Sequence, residues 1–183
     1  MLRGTELRGR PVIDLGAAEK IGELADIVLD PVGHRVAGLI VTQRSSRTGP
    51  GRLLVLPGPA VHALGPDAIT IHDEGERDCD LERLAHLPRL SQIVGRTVIG
   101  SSGVVLGVLD DVQIDGKNGQ IIRYPLRAAR FLPRLERWLS GETAELRRDY
   151  VGTGAPLHIG DTLVTVADDA VVHLLVEGHP RAV

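Results

Sequence analysis

Apolar and polar residues alternate along much of the chain, and this pattern predicts short β-strands. In the segment 21–29, the side chains of Leu24, Ile27 and Leu29 are placed to face a core, whereas Asp26 faces outward or caps a turn. Turn sequences rich in Asp, Gly and Pro separate the predicted strands. The other strands are expected at residues 12–13, 36–42, 52–56, 68–72 and 120–124, and one or two helical turns at 59–65.

The same pattern of apolar, glycine and acidic residues occurs twice in the chain. Residues 7–30 correspond to residues 93–115, with an offset of 86 positions at Gly9 and Gly95 and of 85 positions at Gly22. Self-similarity at a nearly constant offset indicates two copies of one structural unit. Short strands with glycine-rich turns at this spacing predict that each unit is a small barrel.

The two copies differ in length toward their ends. Residues 64–71 match residues 159–166 at an offset of 95 positions, so the second copy contains about ten extra residues, somewhere between 126 and 155. All four aromatic residues of the chain lie in or beside this stretch: Tyr124, Phe131, Trp138 and Tyr150. The rest of the core must therefore be aliphatic, which favours strands.

The extra segment predicts a short amphipathic helix. Phe131, Leu135 and Trp138 follow the i, i+4, i+7 spacing of one helical face. Arginines are expected on the polar side, namely Arg127, Arg130, Arg134 and Arg137. One interpretation is that the helix seals the chain's own barrels. The others are a docking surface for a protein partner, since Trp, Phe and Arg are enriched at interface hot spots, a membrane-surface helix, or RNA binding.

Composition and charge exclude several classes of protein. Hydrophobic residues make up 43 % of the chain, which is enough for a packed core. The net charge of −3 is too small and of the wrong sign for bulk attraction to a polyanion. A single cysteine, Cys79, excludes an internal disulfide framework and a multi-cysteine zinc site. The apolar run at 98–109 is too short to span a bilayer, so a cytoplasmic protein is expected.

The polar residues show no catalytic or metal-binding signature. The seven histidines have no ligand spacing, and we predict neither a metal site nor a cofactor. The glycine-rich segment 100–107 precedes a predicted strand rather than a helix, so it is expected to be a hairpin turn and not a phosphate loop. Because the chain also lacks a Gly-x-Ser-x-Gly elbow, we predict that it is not an enzyme.

The repeated motifs resemble those of the PRC-barrel domain. They are Gly-Arg-x-Val at residues 9–12, Ile-Gly-x-Leu-x-Asp-Ile-x-Leu-Asp at 21–30 and Leu-Gly-x-Asp-Ala-Ile-Thr-Ile at 64–71. Similar barrels occur in the photosynthetic reaction-centre H subunit and in a 16S rRNA-processing ribosome maturation factor. The resemblance covers residues 7–72 and 93–176, and it is weaker after Leu126 because of the insertion. It implies a six-stranded β-barrel that mediates protein interactions and has no enzymatic activity.

We therefore predict a mainly β protein with two small PRC-barrel-like β-barrels in tandem and short helices. The first barrel is expected at residues 1–72 and an acidic linker with a short helix at 73–92. The second is expected at 93–183, with a helical insertion at about 127–150. We expect the two barrels to pack as a pseudo-two-fold pair. The motif residues Gly22, Asp26, Gly107 and Asp111 are predicted to form the fold rather than a site.

The predicted function is that of a non-catalytic adaptor or scaffold in the bacterial cytoplasm. Its expected partner is a protein, bound at the insertion or at the barrel rims. Two alternatives follow from the family resemblance alone: a ribosome- or RNA-associated maturation factor, and a peripheral subunit of a membrane complex. Self-association of the chain stays open.

Overall fold

The computed structural model describes residues 1–43, 51–72, 81–128, 149–154 and 156–172. These residues form short strands, three short helices and two 3₁₀ turns. The elements are β1 (Leu2–Arg3), α1 (Gly4–Leu7), β2 (Pro11–Asp14), β3 (Glu19–Asp30), β4 (Arg35–Gln43), β5 (Arg52–Pro57), β6 (Val61–Leu64), β7 (Ile69–Ile71), α2 (Leu81–His86), α3 (Leu90–Ile93), β8 (Thr97–Gly100), β9 (Val105–Leu109), β10 (Gln113–Ile114), β11 (Ile121–Arg127), β12 (Tyr150–Gly152), β13 (His158–Ile159), β14 (Leu163–Val166) and β15 (Val171–Val172). The 3₁₀ turns are Gly58–Ala60 and Asp168–Ala170.

Each copy of the repeat has its own β-sheet. The first sheet has the order β5-β4-β3-β2-β7-β6. The second has the order β1-β10-β11-β9-β8-β14-β13, and β12 pairs with both β11 and β15. The prediction of a mainly β protein in two copies is confirmed, although the described strand pairings leave both sheets open instead of closing them into barrels.

The long hairpin of β3 and β4 forms the centre of the first copy. Leu24, Ile27 and Leu29 are buried, as their alternation predicts. The turn after β3 is held by Asp30, whose Oδ1 accepts hydrogen bonds from the N–H groups of the second and third residues that follow, at 3.2 and 2.8 Å. A short polar side chain at this place stabilises the turn and sets the register of β4.

The Gly-Arg pairs at the start of the two copies have the same structural role. Gly9 and Gly95 have φ angles of +81° and +90°, a conformation that glycine adopts without steric cost. The arginine that follows each glycine donates a hydrogen bond to a glycine carbonyl near the end of the same copy, Arg10 to Gly65 and Arg96 to Gly160. The motif therefore ties the beginning of each copy to its end.

The helical turns predicted at residues 59–65 are wrong for most of that segment. A 3₁₀ turn covers only Gly58–Ala60, and the following residues form β6. β6 pairs with β7, with Leu64 opposite Ile69. A weak local helical preference gives way here to the backbone hydrogen bonds of the sheet.

The two copies exchange their N-terminal segments. Strand β1, which precedes the first copy, pairs antiparallel with β10 of the second, with Leu2 opposite Ile114. In the same way Arg89, which precedes the second copy, forms an antiparallel bridge with Val28 of β3. We call the contact between the copies the seam. It comprises residues 2–7 with 110–114, residues 88–93 with 26–29, residues 34–36 with 119–121, and Leu64 with Gly116.

Two buried aspartates hold the exchanged segments in place. Asp26 accepts a hydrogen bond from the backbone N–H of Ser91 at 3.2 Å and another from its hydroxyl. Asp111 occupies the equivalent position in the second copy and accepts hydrogen bonds from the N–H of Thr5 at 3.1 Å and from its hydroxyl. Since Thr5 and Ser91 are also equivalent in the repeat, the seam contains the same contact twice, once in each direction.

A pseudo-two-fold axis passes through the centre of the seam. Arg35 forms an antiparallel bridge with Gln120. Two backbone hydrogen bonds of 2.8 Å flank this bridge. The N–H of Val36 donates to the carbonyl of Gly119, and the N–H of Ile121 donates to the carbonyl of His34. In the repeat, Val36 is equivalent to Ile121 and His34 to Gly119, each at an offset of 85 residues, so the two bonds are equivalent. The predicted pseudo-two-fold packing of the copies is therefore observed.

The segments that form the seam lie close to the predicted domain boundaries. The limits predicted at residues 72 and 93 stay a prediction. Residues 2–7, however, lie against the second copy, and α3 lies against the first, where Leu90 and Ile93 are fully buried. Helix α2 lies in the predicted linker, and α3 begins there at Leu90 and ends one residue beyond it, at Ile93.

Candidate functional site

Most of the residues predicted to bind a partner lie outside the described part of the chain: Arg130, Phe131, Arg134, Leu135, Arg137 and Trp138. Arg127 is described and is exposed at the end of β11, where its Nε lies 3.8 Å from Oδ1 of Asp110. Asp110 also accepts a hydrogen bond of 2.9 Å from Arg3. Such exposed ion pairs contribute little to stability. Partner binding by this segment stays a prediction.

The two tyrosines that flank the insertion have different environments. Tyr124 is 1 % exposed, and its Oη has no hydrogen-bond partner among the described residues. Burial, with a smaller effect of the Asp30 carboxylate, raises the pKa of the Tyr124 hydroxyl. Tyr150 is half-buried at the start of β12, and the guanidinium of Arg123 lies 4.8 Å from its ring centre. Tyr124 is therefore part of the core, whereas Tyr150 forms a cation–π contact near the surface.

Replacing Tyr124 by phenylalanine should raise the free energy of unfolding by about 1 kcal/mol near pH 8, because it removes a buried hydroxyl that lacks a partner. The advantage should grow above about pH 10. There the unfolded wild-type chain releases the phenolic proton while the folded protein, with its raised pKa, retains it, so the wild type loses stability as the pH rises. Urea unfolding at about pH 8 and pH 10.5 measures both effects. A less stable variant at pH 8 would show that the hydroxyl has a stabilising partner.

The buried carboxylates support turns and the seam. Asp14 Oδ1 accepts a hydrogen bond of 2.7 Å from the N–H of Gly16, and Asp30 holds the turn after β3. Asp26 and Asp111 hold the exchanged segments, and the hydrogen bond to Asp111 raises the pKa of the Arg3 guanidinium. The motif aspartates thus have the fold-forming role predicted for them.

Within the described ranges, no three side chains of His, Cys, Asp or Glu are grouped so that they could bind a metal ion. His62 and His72 form an edge-to-face pair with ring centres 4.2 Å apart. None of the helices seen in the described residues is both long and apolar enough to cross a bilayer.

Strand β5 presents an apolar surface that the sequence pattern did not indicate. Leu53 is 62 % exposed and Val55 is 37 % exposed. Both point to the outer side of the sheet, opposite Thr42 and Ile40 of β4. Among the described residues, β4 is the only strand that pairs with β5, and no described strand pairs with the other edge of β5. We call the edge of β5 that faces away from β4, with Leu53 and Val55, the β5 edge surface.

Sequence reasoning missed this surface because residues 53–56 are all apolar. A strand with apolar residues on both faces gives no alternation to show which face is covered. The one feature of the sequence that could have indicated the surface was the contrast between this continuous apolar run and the alternating strands elsewhere. Such a run is typical of a strand that is buried on both faces, yet here one face is exposed.

Comparison with known families identifies both copies of the repeat. The family model of the PRC-barrel domain matches residues 1–76 and again residues 88–133. The first match covers the whole first sheet together with β1 and α1, and the second covers α3 and strands β8–β11. No curated protein matches the chain.

Proposed function

Because the chain belongs to the PRC-barrel domain family and contains two copies in tandem, we propose that it is a non-catalytic adaptor that binds a protein partner. The β5 edge surface is the observation that carries this proposal. Leu53 is 62 % exposed on a strand whose outer edge is unpaired within the described part of the chain. Proteins normally protect sheet edges, and exposed apolar surfaces mark sites of interaction.

The seam gives further support to an adaptor role. Asp26 and Asp111 each hold a segment of the other copy, so the two copies act as one platform. Buried carboxylates that already accept several hydrogen bonds suit a structural role better than proton transfer. The cytoplasm, as the expected location, is part of the same proposal and suits a chain with a single cysteine.

Photo-crosslinking in the cells that produce the protein tests the proposal. A photoreactive phenylalanine analogue is placed at position 53, at position 127 in the predicted insertion site, and at position 163 as a control. Leu163 is also an exposed strand residue, at 40 %, but β14 is paired on both sides. We expect a protein adduct of defined mass at position 53 that is lost in the Val55→Lys background.

The adduct also separates the alternative functions. Adducts only to ribosomal RNA or to lipid would contradict the adaptor proposal and support the ribosome-associated or membrane-peripheral role. Irradiation that yields no adduct at position 53 or 127 would contradict protein binding at both surfaces. An adduct at position 127 alone would place the partner on the insertion side.

A further inference from the structure

The second copy shows what binds the edge that corresponds to β5. Strand β12 is the equivalent of β5, since Tyr150 lies opposite Pro125 just as Val55 lies opposite Ile40. The edge of β12 that faces away from β11 is occupied by β15, with Tyr150 opposite Val172 in an antiparallel pair. The equivalent edge therefore accepts a short antiparallel strand of β-branched residues.

The first copy does not repeat the sequence of that strand. The offset of 95 residues that relates Ile71 to Val166 places Glu76 and Arg77 at the positions of the two valines of β15. Valine is favoured in strands, whereas glutamate is disfavoured. The valine pair is thus missing from the first copy, although β5 retains its apolar side chains.

The backbone of β5 has hydrogen-bonding groups directed toward the edge that faces away from β4. In the second copy, Leu126 donates a backbone hydrogen bond of 2.8 Å to Asp149, the residue before β12. Hydrogen-bonded and non-hydrogen-bonded pairs alternate in an antiparallel ladder, so the backbone groups of Tyr150 face β15. By the same alternation, the N–H and C=O groups of Leu53 and Val55 face away from β4.

We propose that the β5 edge binds an extended segment of a protein partner, which adds to the first sheet as an antiparallel strand. This inference rests on the proposed adaptor function and specifies its partner. The backbone groups of Leu53 and Val55 supply the hydrogen bonds, and their exposed side chains contact β-branched residues at alternate positions of the partner. Arg52, exposed at the start of β5, favours an acidic residue beside the added strand.

A synthetic peptide with the sequence of residues 167–174, Ala-Asp-Asp-Ala-Val-Val-His-Leu, is a suitable probe. It contains the two valines of β15; its two acidic residues precede them and, in the register of β15, lie beside the end of β5, away from Arg52. Titrated into the full-length ¹⁵N-labelled protein, it should shift the amide signals of β5 and β4, with a Kd on the order of 1 mM. A control peptide in which serines replace both valines should bind at least tenfold more weakly.

Three variants locate the binding. Leu53→Lys should weaken peptide binding about tenfold, since it places a charge in the apolar contact. Val55→Pro should abolish binding because it removes an outward N–H group. Leu163→Lys introduces the same change at another exposed position, on a strand that is paired on both sides, and it should leave binding unchanged. Circular dichroism confirms that each variant is folded.

Other occupants of the edge give different results, and each would overturn the proposal. If the amides of Leu53 and Val55 in the free protein exchange with solvent as slowly as that of Tyr150, the chain itself covers the edge. If sedimentation shows a dimer that Leu53→Lys dissociates, the occupant is a second copy of the chain. Peptide shifts that lie away from β5, or no shifts at all, would also contradict strand addition.

The peptide titration tests strand addition, whereas crosslinking in cells tests the adaptor function, so the two proposals can fail separately. If the peptide fails to bind but position 53 or 127 still crosslinks to a protein in cells, strand addition is wrong and the adaptor proposal stands. If neither the peptide nor any cellular protein binds, both are wrong.

Discussion

Replacing Asp111 by alanine should lower the free energy of unfolding by about 3 kcal/mol. The Asp111 side chain is fully buried and accepts hydrogen bonds from the backbone N–H groups of Thr5 and Val112, at 3.1 and 2.7 Å, and from the Thr5 hydroxyl. Without the carboxylate these donors lose their acceptor, and an unsatisfied buried group costs about 1–3 kcal/mol. The contribution of Arg3 is smaller, because its side chain can turn toward solvent.

Urea unfolding measures this effect, and hydrogen exchange locates it. The amide of Gly4, which donates a hydrogen bond of 2.8 Å to Val112, should exchange faster in the variant. Asp110→Ala is the matched control, since Asp110 is adjacent and also pairs with Arg3 but is 38 % exposed. Its loss should be below about 1 kcal/mol. If both variants lost the same free energy of unfolding, burial of Asp111 at the seam would not explain its contribution to stability.

Replacing Gly22 by alanine should lower the free energy of unfolding by about 2–3 kcal/mol. A Cβ atom at this position would lie 2.5 Å from the carbonyl oxygen of Thr42 and 2.6 Å from Cγ1 of Val41. The backbone of β4 would have to move away from β3, and forced overpacking of this kind typically costs 1–3 kcal/mol. Gly107 is the equivalent residue, and its Cβ would lie 2.9 Å from the carbonyl oxygen of Arg127.

The control for this prediction is Gly154→Ala. No atom lies within 4 Å of a Cβ built on Gly154, so this variant should remain within about 0.5 kcal/mol of the wild type. Thermal unfolding of Gly22→Ala, Gly107→Ala and Gly154→Ala compares the three positions directly. If Gly22→Ala unfolds at the same temperature as Gly154→Ala, close approach of β3 and β4 is not the reason for the glycine.

The fold-forming motif residues could be identified from the sequence because their roles are repeated. Gly22 and Gly107 allow close approach of two strands, and Asp26 and Asp111 accept hydrogen bonds from equivalent residues. A residue type that recurs at the same place in two copies serves the same local geometry in each. The repeat thus revealed which residues mattered for folding, although it did not reveal their partners.

The candidate site could not be predicted in the same way. Leu53 and Val55 belong to an apolar run, and their exposure depends on what covers the outer side of the sheet. Leu84 of α2 lies over β4, where its Cδ1 would be 3.4 Å from a Cβ atom built on Gly38. The position of α2 leaves the neighbouring face of β5 exposed, and this position results from packing between segments that are distant in the chain.

The sequence by itself determined that there are two copies, where most strands lie and which residues shape them, because alternation and a constant offset are local properties of the chain. Only the tertiary structure decided that Thr5 binds Asp111, 106 residues away, and that Ser91 binds Asp26, 65 residues away. Since Thr5 and Ser91 are equivalent, as are Asp26 and Asp111, the sequence alone does not say which hydroxyl binds which aspartate. The chain path and the packing along the pseudo-two-fold axis select the exchanged arrangement, and no single-residue preference encodes that choice.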